Sequence, residues 1–348
     1  MSAGMSAGMS GHAFDAPLGA WIAAETGISG AKVSRALSGG NANLTLLLDT
    51  DTGPLVLRTP PENAISATSH RGIEREATVL RAIQGHVQAP SVVGWCEDSA
   101  VIGRPFLLVS HVNGVAITDA LPDAYPATAA SVNRLGEDLI DELAAIHTAP
   151  WQQIGLERFG NPENFLERQI TRWQSVRAES PVRDLPLMNE LARWLLGNIP
   201  LSGPVGLIHG DYHLDNSLSH PDRPRLAAVI DWELATIGDP LVDLGLFLMF
   251  WGPRDLSPPG FQHIQAVTRC QGVTPRRVLA ERWGTATGYP LAHLDFYLCF
   301  AFWRLAAIVE GAYALYRQGK VDSAYARGLE YDVPALLEEA AAAARGRW

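Results

Sequence analysis

The pattern of apolar residues changes once along this chain, and that change limits the folds it can adopt. Up to residue 110, short runs of strand-forming residues alternate with turn-forming segments such as GGNAN and DTDTG. Beyond residue 114, apolar residues recur at helical spacing, as in Leu135, Leu139, Leu143 and Ile146. At 348 residues the chain also exceeds the usual size of a single core. We therefore expect a small β-rich lobe followed by a larger helical lobe.

The N-terminal lobe is predicted to span residues 14–110 and to contain an antiparallel sheet. Its helix is indicated by an apolar stripe with spacings of four, three and three residues: Ile73, Ala77, Leu80 and Ile83. The predicted strands are 32–37, 44–50, 55–58, 91–95 and 105–109. Residues 1–13 begin with a repeated small-residue tetrapeptide, MSAGMSAGMSG, and have no basic region or apolar core, so we expect a disordered tail or a redundant start and not a secretion signal.

Asn113 and Gly114 break the strand pattern, so a hinge is predicted at 111–114 and a C-terminal lobe at 115–348. Helical patterns fill most of this second lobe, notably 163–199, 274–288 and 291–319. A β-like segment lies between them, where GLI at 206–208 and RLAAVI at 225–230 each lead into polar residues. The fold class is therefore α+β, with two lobes.

Composition and charge exclude several kinds of partner. The net charge of −10 repels the phosphate backbone of nucleic acids and anionic membrane surfaces, so no nucleic-acid partner is expected. The apolar runs at 244–251 and 296–303 are much shorter than the roughly 20 residues of a membrane span, so no membrane partner is expected. Three scattered cysteines without a CxxC motif indicate reduced thiols and a cytoplasmic location.

The segment LIHGDYHLDNSL, at 207–218, has the residue types that phosphoryl transfer needs. Asp211 and Asn216 are five residues apart, which is the spacing of the kinase catalytic loop, and Asp231 ends the next predicted strand. A carboxylate can accept the proton of a substrate hydroxyl, while an amide oxygen and a second carboxylate can hold Mg²⁺ on phosphates. These three residues are therefore candidates for a catalytic base and two metal ligands.

Two other interpretations of this segment compete with phosphoryl transfer. His209 and His213 are four apart, as in a zinc protease helix, but Gly210 replaces the glutamate of H-E-x-x-H and a strand precedes it. The polar groups could also do no more than hold a loop together, and this is the interpretation we favour for His209. Asp239 and Asp243 are predicted to cap the following helix or to brace the catalytic loop.

Taken in order, HGDYHLDN and VIDWELATIGDPLVDLG resemble the motifs of the aminoglycoside phosphotransferase and choline kinase superfamily. The resemblance runs from about residue 14 to the C-terminus through LSGGNANLTLLL, LVLRTPP, IEREATVL, LAAIHTAPWQQIGLERFG and FWRLAAIVEGAY. These segments are similar to a bacterial branch related to the kinase modules fused to acyl-CoA dehydrogenases in animals. The resemblance implies a two-lobed, protein-kinase-like fold whose N-terminal lobe binds nucleotide.

The resemblance also implies roles for individual residues, with ATP and Mg²⁺ as cofactors. Asp211 matches the catalytic base, and Asn216 and Asp231 match the Mg²⁺ ligands. Arg58 stands where the superfamily usually has a phosphate-binding lysine, and Glu76 stands where a helix glutamate pairs with it. Further implied nucleotide contacts are Ser38, Gly39, Gly40, Asn41 and Asn43 around the phosphates, and the backbone of Ser110 and Val112 at the purine.

Two departures from the family pattern bear on nucleotide binding. Arginine at position 58 keeps the positive charge of lysine but presents a wide fork in place of a compact ammonium. The loop GGNAN lacks a full G-x-G-x-x-G. A catalytically silent nucleotide-binding module is therefore kept as an alternative to an enzyme.

The acceptor hydroxyl is constrained only by charge. Residues 251–330 contain six acidic and nine basic residues, which does not suit a polycationic aminoglycoside. We expect a small neutral or anionic acceptor, such as a hydroxy acid, a hydroxyacyl thioester or a sugar, and Arg172 or Arg304 could hold its carboxylate. An aminoglycoside or macrolide phosphotransferase remains the alternative, and the oligomeric state stays open.

Overall fold

The computed structural model describes residues 12–37, 43–61, 67–178, 182–201, 203–253, 261 and 264–348. The chain forms two compact units. The N-terminal unit consists of Met1–Gln84, Ala89–Asn113 and Asp231–Leu234, and the C-terminal unit of Gly85–Gln88, Gly114–Ile230 and Ala235–Trp348. The first is rich in strands and the second is mainly helical, so the predicted fold class is confirmed.

The unit boundary at Asn113 and Gly114 falls inside the predicted hinge. A linear division at one hinge is nevertheless incomplete, because Asp231–Leu234 groups with the N-terminal unit and Gly85–Gln88 with the C-terminal one. The predicted tail is also too long, since helix α1 (His12–Thr26) begins inside it.

A five-stranded antiparallel sheet forms the frame of the N-terminal unit, with strand order β1-β2-β3-β5-β4. After α1, the elements in chain order are β1 (Lys32–Ala36), β2 (Leu44–Asp49), β3 (Leu55–Thr59), α2 (Ala67–Ala82), β4 (Val92–Cys96), α3 (Ser99–Ile102) and β5 (Phe106–Ser110). All five predicted strands are present, each within two residues of its expected bounds.

Alternation and helical spacing explain which residues of this unit are buried. Leu55, Leu57 and Thr59 alternate with more exposed neighbours along β3, and every residue of the predicted α2 stripe is buried. Helix α1 was not predicted; its Leu18 and Ile22 enter the core of the sheet. Gly94 permits this packing, because a Cβ there would lie 2.9 Å from the ring of Trp21.

Within its described residues, the C-terminal unit contains seven α-helices and four short strands. They are α4 (Ala129–Thr148), α5 (Phe165–Ala178), α6 (Pro186–Gly197), β6 (Gly206–Ile208), β7 (Ser217–Ser219), β8 (Leu226–Val229), β9 (Thr236–Gly238), α7 (Leu241–Phe250), α8 (Arg276–Thr287), α9 (Leu294–Arg317) and α10 (Ala324–Ala343). Strand β6 pairs with β9 and β7 with β8, both antiparallel. Strands β7 and β9 lie outside the two predicted β-like segments, 206–208 and 225–230.

The apolar run at 296–303 is part of a helix, as the pattern at 291–319 predicted. It lies in α9, which has 24 residues and, by length and composition alone, could cross a membrane. Burial accounts for the apolar composition of α9 differently, because 67% of its most apolar window is buried within the protein, as in a core helix. Similarly, every residue of α7 is buried, as expected of a helix that is apolar on all sides.

Candidate active site

The catalytic loop predicted at 209–216 leaves the end of β6 through a sharp turn in the C-terminal unit. Gly210 has φ of 85°, a left-handed conformation that glycine adopts at little steric cost. A short 3₁₀ helix, Leu214–Asn216, then leads into β7. The turn separates Asp211 from the strand, and its carboxylate is 42% exposed, so a ligand in solution can reach it.

A fully buried carboxylate holds the backbone of this loop. Asp243, on α7, accepts hydrogen bonds from the amides of His209 at 2.6 Å and Gly210 at 2.9 Å. Its other neighbour is His147, whose Nε2 lies 3.4 Å from Asp243 Oδ2. Trp283 Nε1 donates to His147 Nδ1 at 3.1 Å, which leaves the imidazole proton on Nε2, facing Asp243. The predicted bracing role of Asp243 is confirmed.

His209 also orders the loop, as predicted. Its Nδ1 accepts from the amide of Asp211 at 3.3 Å, so its proton lies on Nε2, which donates to the carbonyl of Ile230 at 3.0 Å. The imidazole therefore connects the start of the loop to Ile230, which follows the end of β8. The predicted helix cap is present as well, since Asp239 Oδ1 accepts from the amide of Leu241 at 3.0 Å.

Asn216 and Asp211 are directly hydrogen-bonded. The Asn216 side-chain amide donates to the Asp211 carbonyl at 2.8 Å and to its carboxylate Oδ2 at 2.9 Å. The Asn216 carbonyl in turn accepts from the amide of Ile230, at 2.9 Å, the residue immediately before Asp231 in the chain. With its NH₂ group directed at Asp211, the side-chain oxygen of Asn216 is left to act as a ligand.

The surroundings of Asp211 keep it ionised. Partial burial acts to raise the pKa of Asp211, but a hydrogen bond and electrostatic attraction from His213, together with the charge of Arg304, outweigh it and lower that pKa to about 2. His213 Nε2 lies 3.5 Å from Asp211 Oδ2. An ionised carboxylate accepts hydrogen bonds only, so Asp211 is suited to orient a hydroxyl.

The two arginines predicted to bind an acceptor both lie in the C-terminal unit. Arg304, on α9, donates from Nη2 to the carbonyl of Gly210 at 3.2 Å, and its buried Nε has no hydrogen-bond partner within the described residues. Burial lowers the pKa of Arg304, the carboxylates of Asp211 and Asp243 oppose that shift, and the charge of Arg172 adds to it. Arg172 is exposed on α5. Positive charge thus lies beside the candidate base.

Arg58 joins two carboxylates in the N-terminal unit. Its Nε donates to Glu76 Oε2 and its Nη2 to Asp231 Oδ1, both at 2.8 Å. Burial raises the pKa of Glu76 to about 7 despite the attraction of Arg58, and the carboxylates of Asp231 and Glu233 add to the shift. At Arg58 itself, burial is outweighed by these same carboxylates and the pKa rises. The structure therefore contains the predicted pair of Arg58 and Glu76.

Asp231 and Glu233 complete this cluster of charges. Asp231 has φ of 67°, a left-handed conformation that aspartate tolerates better than most residues. Glu233 was not predicted as a site residue, and its Oε2 accepts a hydrogen bond from the side-chain amide of Asn43. Its position two residues after the predicted metal ligand was the only available signal. Asn43 is thereby held at the end of the predicted phosphate loop.

The other predicted nucleotide contacts are only partly within the described residues. Ser38, Gly39, Gly40 and Asn41 lie outside them. The amide of Ser110 donates to the carbonyl of Ser91 at 2.9 Å, so this N–H group is already used within the sheet. The described residues provide no hydrogen-bond partner for the backbone of Val112. Purine binding at Ser110 and Val112 stays a prediction.

The donor chemistry fits the predicted Mg²⁺. Asn216 offers an amide oxygen and Asp231 a carboxylate, the hard oxygen ligands that this ion prefers. The Asp231 carboxylate is 29% exposed, and one of its oxygens already faces a cation, the guanidinium of Arg58. Both residues therefore match the chemistry of the ion.

Comparison with known proteins gives a consistent family. The family model described as "Phosphotransferase enzyme family" matches residues 33–279. Acyl-CoA dehydrogenase family member 11 of Gallus gallus is 30% identical over 315 residues, covering 85% of this chain and 38% of the relative. Acyl-CoA dehydrogenase family member 10 of Mus musculus is 31% identical over 293 residues, covering 83% of this chain and 27% of the relative. This chain therefore spans well under half the length of these relatives.

Solved structures agree on the fold. A candidate aminoglycoside phosphotransferase from Ralstonia eutropha is 30% identical, with a TM-score of 0.81 over 96% of this chain and 98% of that one. The GDP complex of aminoglycoside 2′-phosphotransferase-IIIa has a TM-score of 0.60 at 17% identity, covering 94% of this chain and 98% of that one. The streptomycin–ATP–APH(2″)-IIa complex has a TM-score of 0.52 at 15% identity, covering 90% and 93%. At such identities the last two show the fold alone.

Proposed function

The chain belongs to the phosphotransferase enzyme family, and we propose that it transfers the γ-phosphoryl group of ATP to a hydroxyl of a small molecule in a Mg²⁺-dependent reaction. The observation that carries this proposal is the hydrogen-bonded pair of Asp211 and Asn216 on a loop braced by Asp243. A silent module has no need of an ionised, reachable carboxylate held in this way. Within the proposal, the acceptor oxygen attacks the γ-phosphorus, ADP leaves, and the proton of the hydroxyl passes to Asp211.

Asp211 orients the acceptor hydroxyl and takes its proton. Its pKa of about 2 means that it is ionised at neutral pH and acts mainly by fixing the hydroxyl's direction, with proton transfer late in the reaction. Positioning is the larger part of phosphoryl-transfer catalysis, because the protein has little covalent chemistry to perform. Asp243 and His209 support that positioning by fixing the loop backbone.

Nucleotide binding is assigned to the charged cluster of the N-terminal unit and to Asn216. Arg58, oriented by Glu76, steadies the phosphates, and Asn43 belongs to the loop that covers them. Asn216 and Asp231 supply oxygen ligands to Mg²⁺, which when bound neutralises charge on the phosphates. The ATP complex of a fold neighbour supports a nucleotide donor, although it concerns that protein.

The acceptor is proposed to be neutral or anionic: a hydroxy acid, a hydroxyacyl thioester or a sugar. The support is electrostatic, because Arg304 places positive charge beside Asp211 and Arg172 lies within electrostatic range of Arg304, where an aminoglycoside would require carboxylates. The names of the acyl-CoA dehydrogenase relatives are compatible with an acyl acceptor. The free thiols of Cys96, Cys270 and Cys299 support a cytoplasmic location for the reaction.

The first experiment measures the melting temperature with ATP, with ATP and Mg²⁺, and then with each acceptor class, because a ligand that binds only the folded state raises it. Phosphoryl transfer is then followed from radiolabelled ATP in wild type and Asp211→Asn. We expect a magnesium-dependent nucleotide shift, and transfer that falls by roughly 10²- to 10⁴-fold in the variant. A nucleotide shift without transfer to any acceptor, including aminoglycosides, would favour a silent module, and transfer to aminoglycosides alone would favour the antibiotic enzyme.

A further inference from the structure

A cavity of about 670 Å³ opens between α5, α6 and α9 of the C-terminal unit, and the proposed phosphoryl transfer does not use it. Met188 and Trp303, both 1% exposed, close its inner end. Asp184 and Asn189 are exposed at its mouth, and two guanidinium groups, those of Arg177 and Arg183, line its wall. Its volume is within the range of small-molecule sites, roughly 300–1,000 Å³.

Arg183 is fully engaged by the protein itself. It donates three hydrogen bonds to the buried carboxylate of Glu310, at 2.7 and 3.2 Å, and lies 4.1 Å from the ring centroid of Tyr313. It also donates to the carbonyls of Leu329 at 3.1 Å and Glu330 at 2.8 Å. Because Pro334 in α10 has no N–H group, the carbonyl of Glu330 lacks its helical partner, and Arg183 replaces it.

Arg177 is in the opposite situation. Its Nη1 is buried and has no hydrogen-bond partner within the described residues. In the part of the chain that the structure describes, the nearest acidic atom is Glu310 Oε1 at 3.9 Å, on the carboxylate that Arg183 already occupies. A buried guanidinium N–H without an acceptor is unfavourable, and a charged one more so than a neutral one. Two guanidiniums thus share one buried carboxylate, while the other acid of the cavity, Asp184, is exposed at the mouth.

We propose that this cavity binds a small anion, with Arg177 donating to a carboxylate or phosphate and the apolar part of the ligand lying against Met188 and Trp303. An anionic oxygen at Arg177 would supply the missing acceptor and balance the second guanidinium. Arg183 and Glu310 set the wall of the site and are not expected to move. The site needs no nucleotide, so its occupancy can be measured whether or not the chain is a phosphotransferase.

The cavity contains its own reporter. The chain has methionine at positions 1, 5, 9, 188 and 249 alone, so labelling with ¹³C-methyl methionine gives few signals. Met188 lines the cavity, and Met249, which is fully buried on α7, serves as an internal control. Full-length protein is titrated with hexanoate, hexyl phosphate and the neutral hexanamide. We expect the two anions to shift the Met188 signal saturably, hexanamide to leave it in place, and Met249 to stay still.

Variants test the assignment to Arg177. Arg177→Gln should weaken anion binding by about tenfold or more, since a charge-assisted hydrogen bond is lost. Arg177→Lys should retain part of it, and Arg168→Gln, which removes the same charge from an exposed position on the same helix, should leave the Kd unchanged. The tighter of the two anions identifies the carboxylate or the phosphate as the preferred group.

Three results would overturn the proposal: no Met188 shift with either anion, an equal shift with hexanamide, or an unchanged Kd in a folded Arg177→Gln protein. If Arg177→Gln does not fold, the comparison of hexanoate with hexanamide on wild type and on Arg177→Lys still decides the matter.

Discussion

The side chain of Asn216 points both of its amide hydrogens at Asp211, one toward the carbonyl at 2.8 Å and one toward the carboxylate at 2.9 Å. This arrangement gives Asn216 two separable tasks. Its NH₂ group fixes the direction of the candidate base, and its oxygen is left for a metal ion. A residue that served only as a metal ligand would not need to donate hydrogen bonds to Asp211.

Substitution of Asn216 by aspartate separates the two tasks. Asn216→Asp keeps an oxygen ligand but loses both donors and places a second negative charge beside Asp211. We expect kcat to fall by about 10²-fold in Asn216→Asp and in Asn216→Ala alike, since small displacements of a catalytic group have effects of that size. Steady-state kinetics at saturating Mg²⁺ measures this. Near wild-type activity in Asn216→Asp would show that metal binding is its whole role.

Removing one partner of the ion pair between Arg58 and Glu76 should destabilise the folded protein, whereas replacing both partners by apolar residues should cost little stability. Arg58→Met leaves Glu76, which is 2% exposed, without its partner, and we expect the free energy of unfolding at pH 8 to fall by about 3–5 kcal/mol. The double variant Arg58→Met with Glu76→Leu should recover most of that loss while nucleotide binding stays weak. Urea denaturation of both single variants and the double variant checks the first point, and nucleotide titration the second. A double variant no more stable than Arg58→Met would contradict this account.

The brace at Asp243 should affect stability and catalysis together. In Asp243→Asn, one of the two loop amides would face an NH₂ group, because an amide side chain offers a single oxygen. Leaving one buried donor unsatisfied should lower the free energy of unfolding by about 1–3 kcal/mol. We also expect kcat to fall, because the loop that carries Asp211 loses a support. Asp222→Asn, at a position 69% exposed in a neighbouring loop, is the matched control and should change neither quantity.

Asp239 should give the protein a recognisable pH dependence. Burial raises the pKa of Asp239 from 3.8 to about 6, against the opposing hydrogen bonds from Tyr297 at 2.6 Å and Leu241. The folded state therefore binds the proton more tightly than the unfolded state, and stability is lost as the pH rises from about 4 through about 6. With about 1.4 kcal/mol per pH unit, the loss is on the order of 3 kcal/mol.

Comparison with Asp239→Asn isolates this contribution. Burial lowers the pKa of His147, which acts in the opposite direction by destabilising the folded state as the pH falls below about 6.5. Burial also raises the pKa of Glu76 to about 7, so the wild-type curve alone mixes several contributions. Relative to wild type, the asparagine variant should gain about 3 kcal/mol between pH 4 and pH 7. Chemical denaturation across that range measures the difference. Parallel stability curves for the two proteins would mean that Asp239 titrates normally.

The parts of the fold that were predicted are those defined by residues close together in the chain. The strands of the N-terminal sheet and the stripe of α2 depend on local alternation and spacing, and both were recognised. Helix α1 was missed although Leu18 and Ile22 are four residues apart, because its contribution comes from packing on a sheet formed later in the chain. Helix α9, Leu294–Arg317, by contrast lies within the helical pattern predicted at 291–319, because its apolar spacing is local to the chain.

The sequence by itself determined the identity of the chemical groups: Asp211 with Asn216 in one loop, Asp231 after the next strand, and Arg58 with Glu76. Spacing within a short segment is enough for the first pair, and the order of the motifs for the rest. Only the tertiary structure decided that Arg304 donates to Gly210, that Asp243 holds the loop backbone, and that Arg183 takes the carboxylate of Glu310, so that Nη1 of Arg177 has no acceptor among the described residues. These contacts join residues dozens of positions apart, and their formation depends on how helices pack, which no local pattern encodes.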